Sequence, residues 1–438
     1  MMTTARTLTR FTLAVGALTL AATSLITPAR PALADDPPAA PAPVPAADDV
    51  TTLVNGNTAF ALDLYHQLRR TSRSGDSFFS SPYSISAALT MTAAGAKGDT
   101  ATEMRRVLHQ SSLTDPRVEA AWKTMTDRLL AAPSRVDRSG EEAKLEIANQ
   151  LWGQDMSKLP GGREFQREFL DRLERAFRAP LQTCDFVSDP QGERVRINKW
   201  VAEHTNDRIK DLLSPDHITE TTRLVLTNAI FFKAGWKVAF SPAATRDASF
   251  TTVDGTTSTV PMMHQSEMMR YATGDGFVYV ELPCVNTAAA VGLIIPDAGK
   301  FADVEARLTP ELLAATLKKA EWQEVNLALP RFRRESKFEL SNALQALGMR
   351  KAFTREADFS GMDGTHLMLI SAVIHQTFIN VDEKGTEAAA ATAVVMSDGG
   401  MPPQPVDVTV DRPFMHLIRD GRTGTIMFLG REMNPAAK

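Results

Sequence analysis

The stretch Glu383-Lys384-Gly385-Thr386-Glu387-Ala388-Ala389-Ala390-Ala391-Thr392-Ala393-Val394-Val395-Met396-Ser397-Asp398-Gly399-Gly400-Met401-Pro402-Pro403-Gln404-Pro405 decides how this chain is read. Four consecutive Ala favour a helix by propensity. Yet the segment lies between two strand-like runs and ends in Gly-Gly and a proline cluster. A connection of this length inside a domain is usually functional or unfolded. Read as a strand, its side chains alternate between two faces. Glu387, Ala389, Ala391, Ala393, Val395 and Ser397 form one face, which carries a charge and suits solvent. Thr386, Ala388, Ala390, Thr392, Val394 and Met396 form the other, small or apolar throughout and suited to a core. Gly385, just before, can adopt backbone angles closed to other residues and act as a pivot. On residues alone two readings stand open: a spare strand, or an Ala-rich surface helix or tether.

Working outward, helical spacing of apolar residues marks 55–70, and Ser81-Pro82 opens a second helix with Pro in its first turn. Residues 100–108, 119–130 and 342–353 read as further helices. Strand patterns cover 145–152, 222–232, 250–262, 277–283, 290–296, 325–330 and 377–381. Helices first and strands mostly later point to an α+β fold with antiparallel or mixed sheets.

The 438 residues are 43% hydrophobic and 23% charged, ordinary for a globular chain, and the net charge of −4 provides no field for nucleic acid or an anionic membrane. Arg6 and Arg10, an apolar run over 11–26 and the small residues Ala32-Leu33-Ala34 read as a signal peptide over 1–34. The run is shorter than a membrane span needs, so the expected location is outside the cell. Residues 35–50, rich in Asp, Pro and Ala, read as a flexible leader, and one domain is expected over 51–438. Cys184 and Cys284 are the only cysteines, and the sequence leaves open whether they pair. No Gly-x-Ser-x-Gly elbow, His-Glu-x-x-His motif or phosphate-binding glycine loop occurs. Gly75-Asp76-Ser77 sits in a turn context, and the eight His have no metal spacing. No catalytic residue, metal or cofactor is expected.

The segment 383–392 resembles the hinge of inhibitory serpins, the serine protease inhibitor family. Residues 79–89 resemble the family's early helix, and 227–236 the strand and turn at the centre of its main sheet. Leu329-Pro330-Arg331-Phe332, Ala357-Asp358-Phe359-Ser360-Gly361-Met362 and Asp411-Arg412-Pro413-Phe414 add three matches in family order. The resemblance implies about nine helices around three β-sheets, with an exposed reactive centre loop. It implies a suicide substrate: a serine protease cleaves the loop, is held as an acyl-enzyme, and is carried along as the loop enters the main sheet. Strand insertion of this kind is the handed-down property of the family.

The same resemblance assigns roles. Glu383, Gly385, Thr386, Glu387, Ala388, Ala389, Ala390, Ala391 and Thr392 form the hinge. Glu383 is expected to pair with Arg331, and Trp236 to stand where the loop goes in. Ser81, Ser84, Asn228 and His375 match the polar cluster under the point where strands part. Family spacing from Gly385 puts the scissile bond at Gly399-Gly400, counting back from Pro413 puts it near Pro402-Pro403, and Met396-Ser397, Val395-Met396 and Met401-Pro402 are the nearby alternatives. No Lys or Arg lies between Thr386 and Asp411, so a subsystem of subtilisin-, elastase- or chymotrypsin-like targets is expected ahead of trypsin-like ones. The partner is the protease alone, with no nucleic acid, no membrane and a monomeric inhibitor. Small hinge residues favour inhibition over the alternative, a non-inhibitory serpin serving as a binding or carrier protein. His416 stands where the family signature normally has an apolar residue.

Overall fold

The computed structural model describes residues 47–131, 144–285, 287–386 and 404–437. The signal peptide, most of the leader, the loop from Glu387 through Thr392 and the candidate bonds at Met396-Ser397 and Gly399-Gly400 lie outside them.

Ten α-helices occur among the described residues: α1 (Ala47–Thr71), α2 (Pro82–Ala93), α3 (Gly98–Val107), α4 (Asp115–Leu130), α5 (Arg167–Phe177), α6 (Pro190–His204), α7 (Phe301–Ala306), α8 (Pro310–Lys319), α9 (Ser341–Leu347) and α10 (Ser360–Asp363). The strands are β1 (Phe78–Ser80), β2 (Lys144–Gln154), β3 (Gln182–Cys184), β4 (Leu224–Gly235), β5 (Arg246–Thr251), β6 (Thr257–Gly274), β7 (Phe277–Pro283) and β8 (Ala289–Pro296). They continue with β9 (Glu321–Pro330), β10 (Phe332–Glu339), β11 (Ile370–Val381), β12 (Gly385–Thr386), β13 (Val406–Thr409), β14 (Phe414–Asp420) and β15 (Ile426–Glu432).

The α+β expectation holds. The main sheet runs β10-β11-β4-β2-β3, with the short β12 also on β4. A second, nine-stranded sheet runs β1-β15-β14-β8-β7-β6-β9-β13, with β5 on β6. β6 is 18 residues long and pairs with β5 at its start, β9 along its middle and β7 at its end. Two of the three sheets implied by the resemblance are thereby joined into one ladder.

Some boundaries move for local reasons. α1 begins at Ala47, inside the segment read as leader, because Asp49 and Val50 are buried. The helix read at 342–353 stops at Leu347, where Gly348 takes φ +112, a left-handed cap. The strand read over 250–262 is broken by a turn at Gly255.

β4 and β11 are parallel neighbours in the main sheet, in register from Ala372 opposite Val225 to Phe378 opposite Phe231, with Ile370 opposite Leu224 across a bulge. Strands β5 to β10 lie between them in sequence, so no short loop joins them. β4 is buried on both faces, which explains its largely apolar sequence, broken by Thr227, Asn228 and Lys233. Leu224, Leu226 and Ile230 face the helical core, where α2 is buried along its whole length. Val225 and Ala229 face the other way, into a cluster with Ile197 and Val201 of α6. Ser81 caps α2 by accepting the Ser84 N–H, and Pro82 fills the first turn.

Cys184 and Cys284 are both free and buried, in different core clusters. Burial pushes the Cys284 thiol up to about 12. No helix among the described residues is long and apolar enough to cross a membrane.

Candidate functional site

Past Phe231 and Phe378 the β4–β11 ladder ends, and β12 enters the gap. Gly385 pairs with Gly235 and Thr386 with Ala234, antiparallel to β4. Gly385 has φ +146, and a Cβ there would lie 2.3 Å from the Ala234 carbonyl oxygen, so only glycine permits this approach.

The chain reaches the gap through a tight turn, Asp382 to Gly385, closed by Asp382 N–H to Gly385 O at 3.0 Å. The turn is fastened to the segment after β4. Trp236 N–H donates to Lys384 O at 3.1 Å and Phe240 N–H to Glu383 O at 2.9 Å. The indole Nε1 of Trp236, a residue only 4% exposed, donates to Asp382 O at 2.8 Å. Trp236 thus holds the loop base by backbone and side chain, beyond the packing role that its burial alone would explain.

Glu383 and Arg331 meet as the resemblance implied. Arg331 Nε donates to Glu383 Oε1 at 2.8 Å, with a second bond from Nη2 to the same oxygen. Thr245 Oγ1 adds a bond of 2.5 Å. Burial would raise the Glu383 carboxyl, but the bonds from Arg331 and Thr245 outweigh it and hold it below the ordinary carboxylate range. Thr245 was not legible as a partner, because a lone Thr in a loop carries no sequence signal.

The second cluster lies at mid-sheet, where His375 is in register with Asn228. The His375 ring is fully buried, and its Nε2 accepts the Ser81 backbone N–H at 2.9 Å. Burial pushes its pKa down to about 3, so the ring is neutral. Ser81 Oγ donates to Met427 O at 2.6 Å and Ser84 Oγ donates to Asn149 Oδ1. Asn228 Nδ2 and Oδ1 and His375 Nδ1 are buried without a hydrogen-bond partner among the described residues. All four residues of the expected cluster therefore come together.

Three further residues belong to this cluster. Asn149 on β2 is in register with Asn228 and donates through Nδ2 to Ser84 O at 3.1 Å. Thr377 Oγ1 donates to Phe79 O at 2.5 Å, and Ser336 Oγ accepts the Phe79 N–H at 3.0 Å. Residues 79–81 are thus tied by side chains to both β10 and β11. A polar Asn inside the apolar strand 145–152 was the one available signal for Asn149.

No group of His, Cys, Asp and Glu among the described residues is placed to hold a metal. The site consists of a sheet with a parallel seam, a polar cluster beneath the seam, and a strand seated at its open end.

Residues 55–435 match the family model of serpins, serine protease inhibitors. The chain belongs to the serpin family. It is 37% identical over 385 residues to an uncharacterized serpin-like protein of Thermococcus kodakarensis, covering 87% of this chain and 86% of that one. To the leukocyte elastase inhibitor of Bos taurus this serpin is 33% identical, over 86% of this chain and 98% of the relative. Among solved structures, human thyroxine-binding globulin superposes with a TM-score of 0.77 at 26% identity, over 89% of this chain and 100% of that one. The matched family is one of inhibitors, and no catalytic family is indicated.

Proposed function

We propose that this serpin is a secreted, monomeric suicide-substrate inhibitor of serine proteases that inserts its cleaved loop between β4 and β11. The observation that carries the reading is the β12 ladder on β4. Its register, extended down β4, brings Glu387 opposite Lys233, Thr392 opposite Asn228 and Met396 opposite Leu224. Twelve loop residues, 385–396, then fill the twelve residues of β4. Thr386, Ala388, Ala390, Thr392, Val394 and Met396 fall opposite the β4 residues that face the helical core, and Glu387 falls opposite a lysine. That is the alternation that the loop sequence provides.

The length of β4 also bears on the scissile bond. An arm that reaches Met396 spans the strand, so a bond at Gly399-Gly400 lets the attached protease travel the full length of the sheet. Cleavage at Met396-Ser397 leaves a shorter arm. The absence of Lys and Arg between Thr386 and Asp411 supports subtilisin-, elastase- or chymotrypsin-like targets ahead of trypsin-like ones. Twelve residues gaining ladder bonds on two sides, at a net ~0.5–1.5 kcal/mol each, stabilise the inserted form by about 10 kcal/mol or more. That rivals the whole stability of a typical domain, about 5–15 kcal/mol.

The test is to mix the mature protein with subtilisin, elastase, chymotrypsin and trypsin and to examine the products by denaturing gel and mass spectrometry. The expected result is a detergent-stable covalent complex plus the released C-terminal peptide. Cleavage with no complex for every protease overturns the inhibitory reading and favours the carrier reading, to which the likeness to thyroxine-binding globulin lends support. The N-terminus of protein recovered from culture medium, expected near Asp35, tests secretion.

A further inference from the structure

Three turns far apart in sequence meet around a cavity that no residue of the loop or of the β4–β11 seam lines. They are 251–253 in the β5–β6 hairpin, 296–302 between β8 and α7, and 411–413 between β13 and β14. The cavity measures about 370 Å³, within the range of small-molecule sites, roughly 300–1,000 Å³. Backbone bonds fix its walls. Thr251 N–H donates to Asp411 O at 2.8 Å, Asp297 N–H to Gly276 O at 2.9 Å and Lys300 N–H to Asp297 O at 2.9 Å. The hairpin turn is closed by Thr252 N–H to Thr256 O at 2.9 Å. A site held in this way is formed before a ligand arrives, so little ordering opposes binding.

The lining divides by chemistry. Pro296, Phe301 and Pro413 are buried and form an apolar floor. The charged groups at the rim are Asp297, Asp411 and Arg412. Arg412 Nε donates to Asp411 Oδ1 at 2.6 Å, so these two charges answer one another. Asp297 is exposed, and no cation among the described residues is bonded to its carboxylate. The lining as a whole therefore carries one negative charge beside an apolar floor. We propose that this cavity binds a small amphipathic cation, an aryl- or alkylammonium whose apolar body rests on Phe301, Pro296 and Pro413 and whose ammonium meets Asp297. Apolar lining with a few placed polar groups is the usual build of a ligand site, the polar groups setting orientation and specificity. A neutral molecule of the same shape leaves Asp297 without a counter-charge, and an anion is repelled by it. The site goes beyond the inhibitory reading and does not depend on it.

The experiment titrates the full mature chain with three probes of one shape: phenethylamine, phenethyl alcohol and hydrocinnamate. Ligand-observed NMR and calorimetry report binding at low ionic strength, where an exposed carboxylate is least screened. Phenethylamine is expected to bind with a Kd of about 1 mM or tighter, in line with the affinity that a molecule of this size can reach. The alcohol and the carboxylate should bind at least tenfold more weakly. Asp297→Asn should weaken phenethylamine about tenfold and bring it level with the alcohol. Ala302→Trp places a bulky ring at the exposed rim of the cavity and should abolish binding of all three probes. Thermal melts show that both variants fold. No binding of phenethylamine to the wild-type chain overturns the proposal. Equal binding of amine and alcohol, or an Asp297→Asn variant that binds as wild type does, overturns the charge recognition that defines the ligand class. Binding that survives Ala302→Trp unchanged puts the probe elsewhere and overturns the site. The protease-trapping result stands apart from every one of these outcomes.

Discussion

Two seams in this molecule are built in opposite ways. β14 and β15 are antiparallel, joined by a short turn, in register from Phe414 to Ile418, and buried at every position. The charges at this seam are paired. Arg419 holds Glu281 at 2.7 and 2.9 Å with the Tyr279 hydroxyl on the same carboxylate. Arg431 holds Glu305 at 3.0 Å, and Arg334 holds Glu432 at 2.9 Å. Each pair fixes one strand of this seam to a third element, β7, α7 or β10, and removing one partner of such a buried pair costs about 3–5 kcal/mol. The β4–β11 seam has no short connection, stops at Phe231 and Phe378, and carries at its middle Asn228 and His375, whose polar atoms Nδ2, Oδ1 and Nδ1 lack partners among the described residues. Separating it breaks a ladder that an incoming strand can remake, and strands few side-chain bonds. On the proposed mechanism the main sheet is thus weakly tied at the seam that parts.

The sharpest way to break this contrast is to supply the missing strand. Cleaving the loop without trapping a protease is expected to raise the melting temperature by roughly 20 °C or more, from about 10 kcal/mol of new ladder at a few degrees per kcal/mol. Calorimetry before and after cleavage measures it, and an unmoved transition would mean that the seam does not open. Thr386→Arg places a long charged chain at the first inserting position opposite Ala234. It should raise the stoichiometry of inhibition more than tenfold in titrations against active protease, while the intact protein melts near the wild-type temperature.

His416 sharpens the comparison from the closed side. Its ring is stacked 5.1 Å from Phe79 and near Phe332 and Phe414, and both nitrogens lack partners among the described residues. Burial, helped by the Arg334 charge, pushes its pKa down to about 3. The unfolded chain therefore takes up a proton below about pH 6.5 that the folded chain refuses. Stability contributed by the neutral ring is complete above that pH and is lost as pH falls toward 3, at about 1.4 kcal/mol per unit. His416→Phe should remove one proton from that slope, gaining about 2 kcal/mol over wild type at pH 5 relative to pH 8 in denaturant titrations. His375 keeps its own equal slope in the variant.

The smallest effect concerns the loop base. Glu383→Gln loses the charge facing Arg331, whose side chain is 43% exposed, so about 1 kcal/mol is expected at pH 7. The Glu383 carboxyl is held below its ordinary range, so its contribution is present above about pH 4.3 and lost as pH falls through the folded value. The stability difference between wild type and variant should close below about pH 4. A gap that persists in acid would place the bond's strength elsewhere.

The helix opening at Ser81-Pro82 was legible because caps are local chemistry. β4 was legible as a largely apolar run because both of its faces are buried, with Thr227, Asn228 and Lys233 as the polar exceptions. The polar cluster was legible only through resemblance: nothing in the sequence places Ser81 beside His375, 294 residues away. Asn149, Thr377 and Ser336 escaped notice because each is one ordinary polar residue in a strand. His416 was visible as a departure, but its aromatic surroundings come from three separate strands.

By itself the sequence determined the strand-like alternation of the loop, the glycine pivot at 385 and the α+β class, since period, propensity and chain stereochemistry act over a few residues. Only the tertiary structure decided that β4 and β11 lie side by side and where their ladder stops. Those facts depend on which distant segments share a core, and hydrophobic burial has no direction along the chain to announce it.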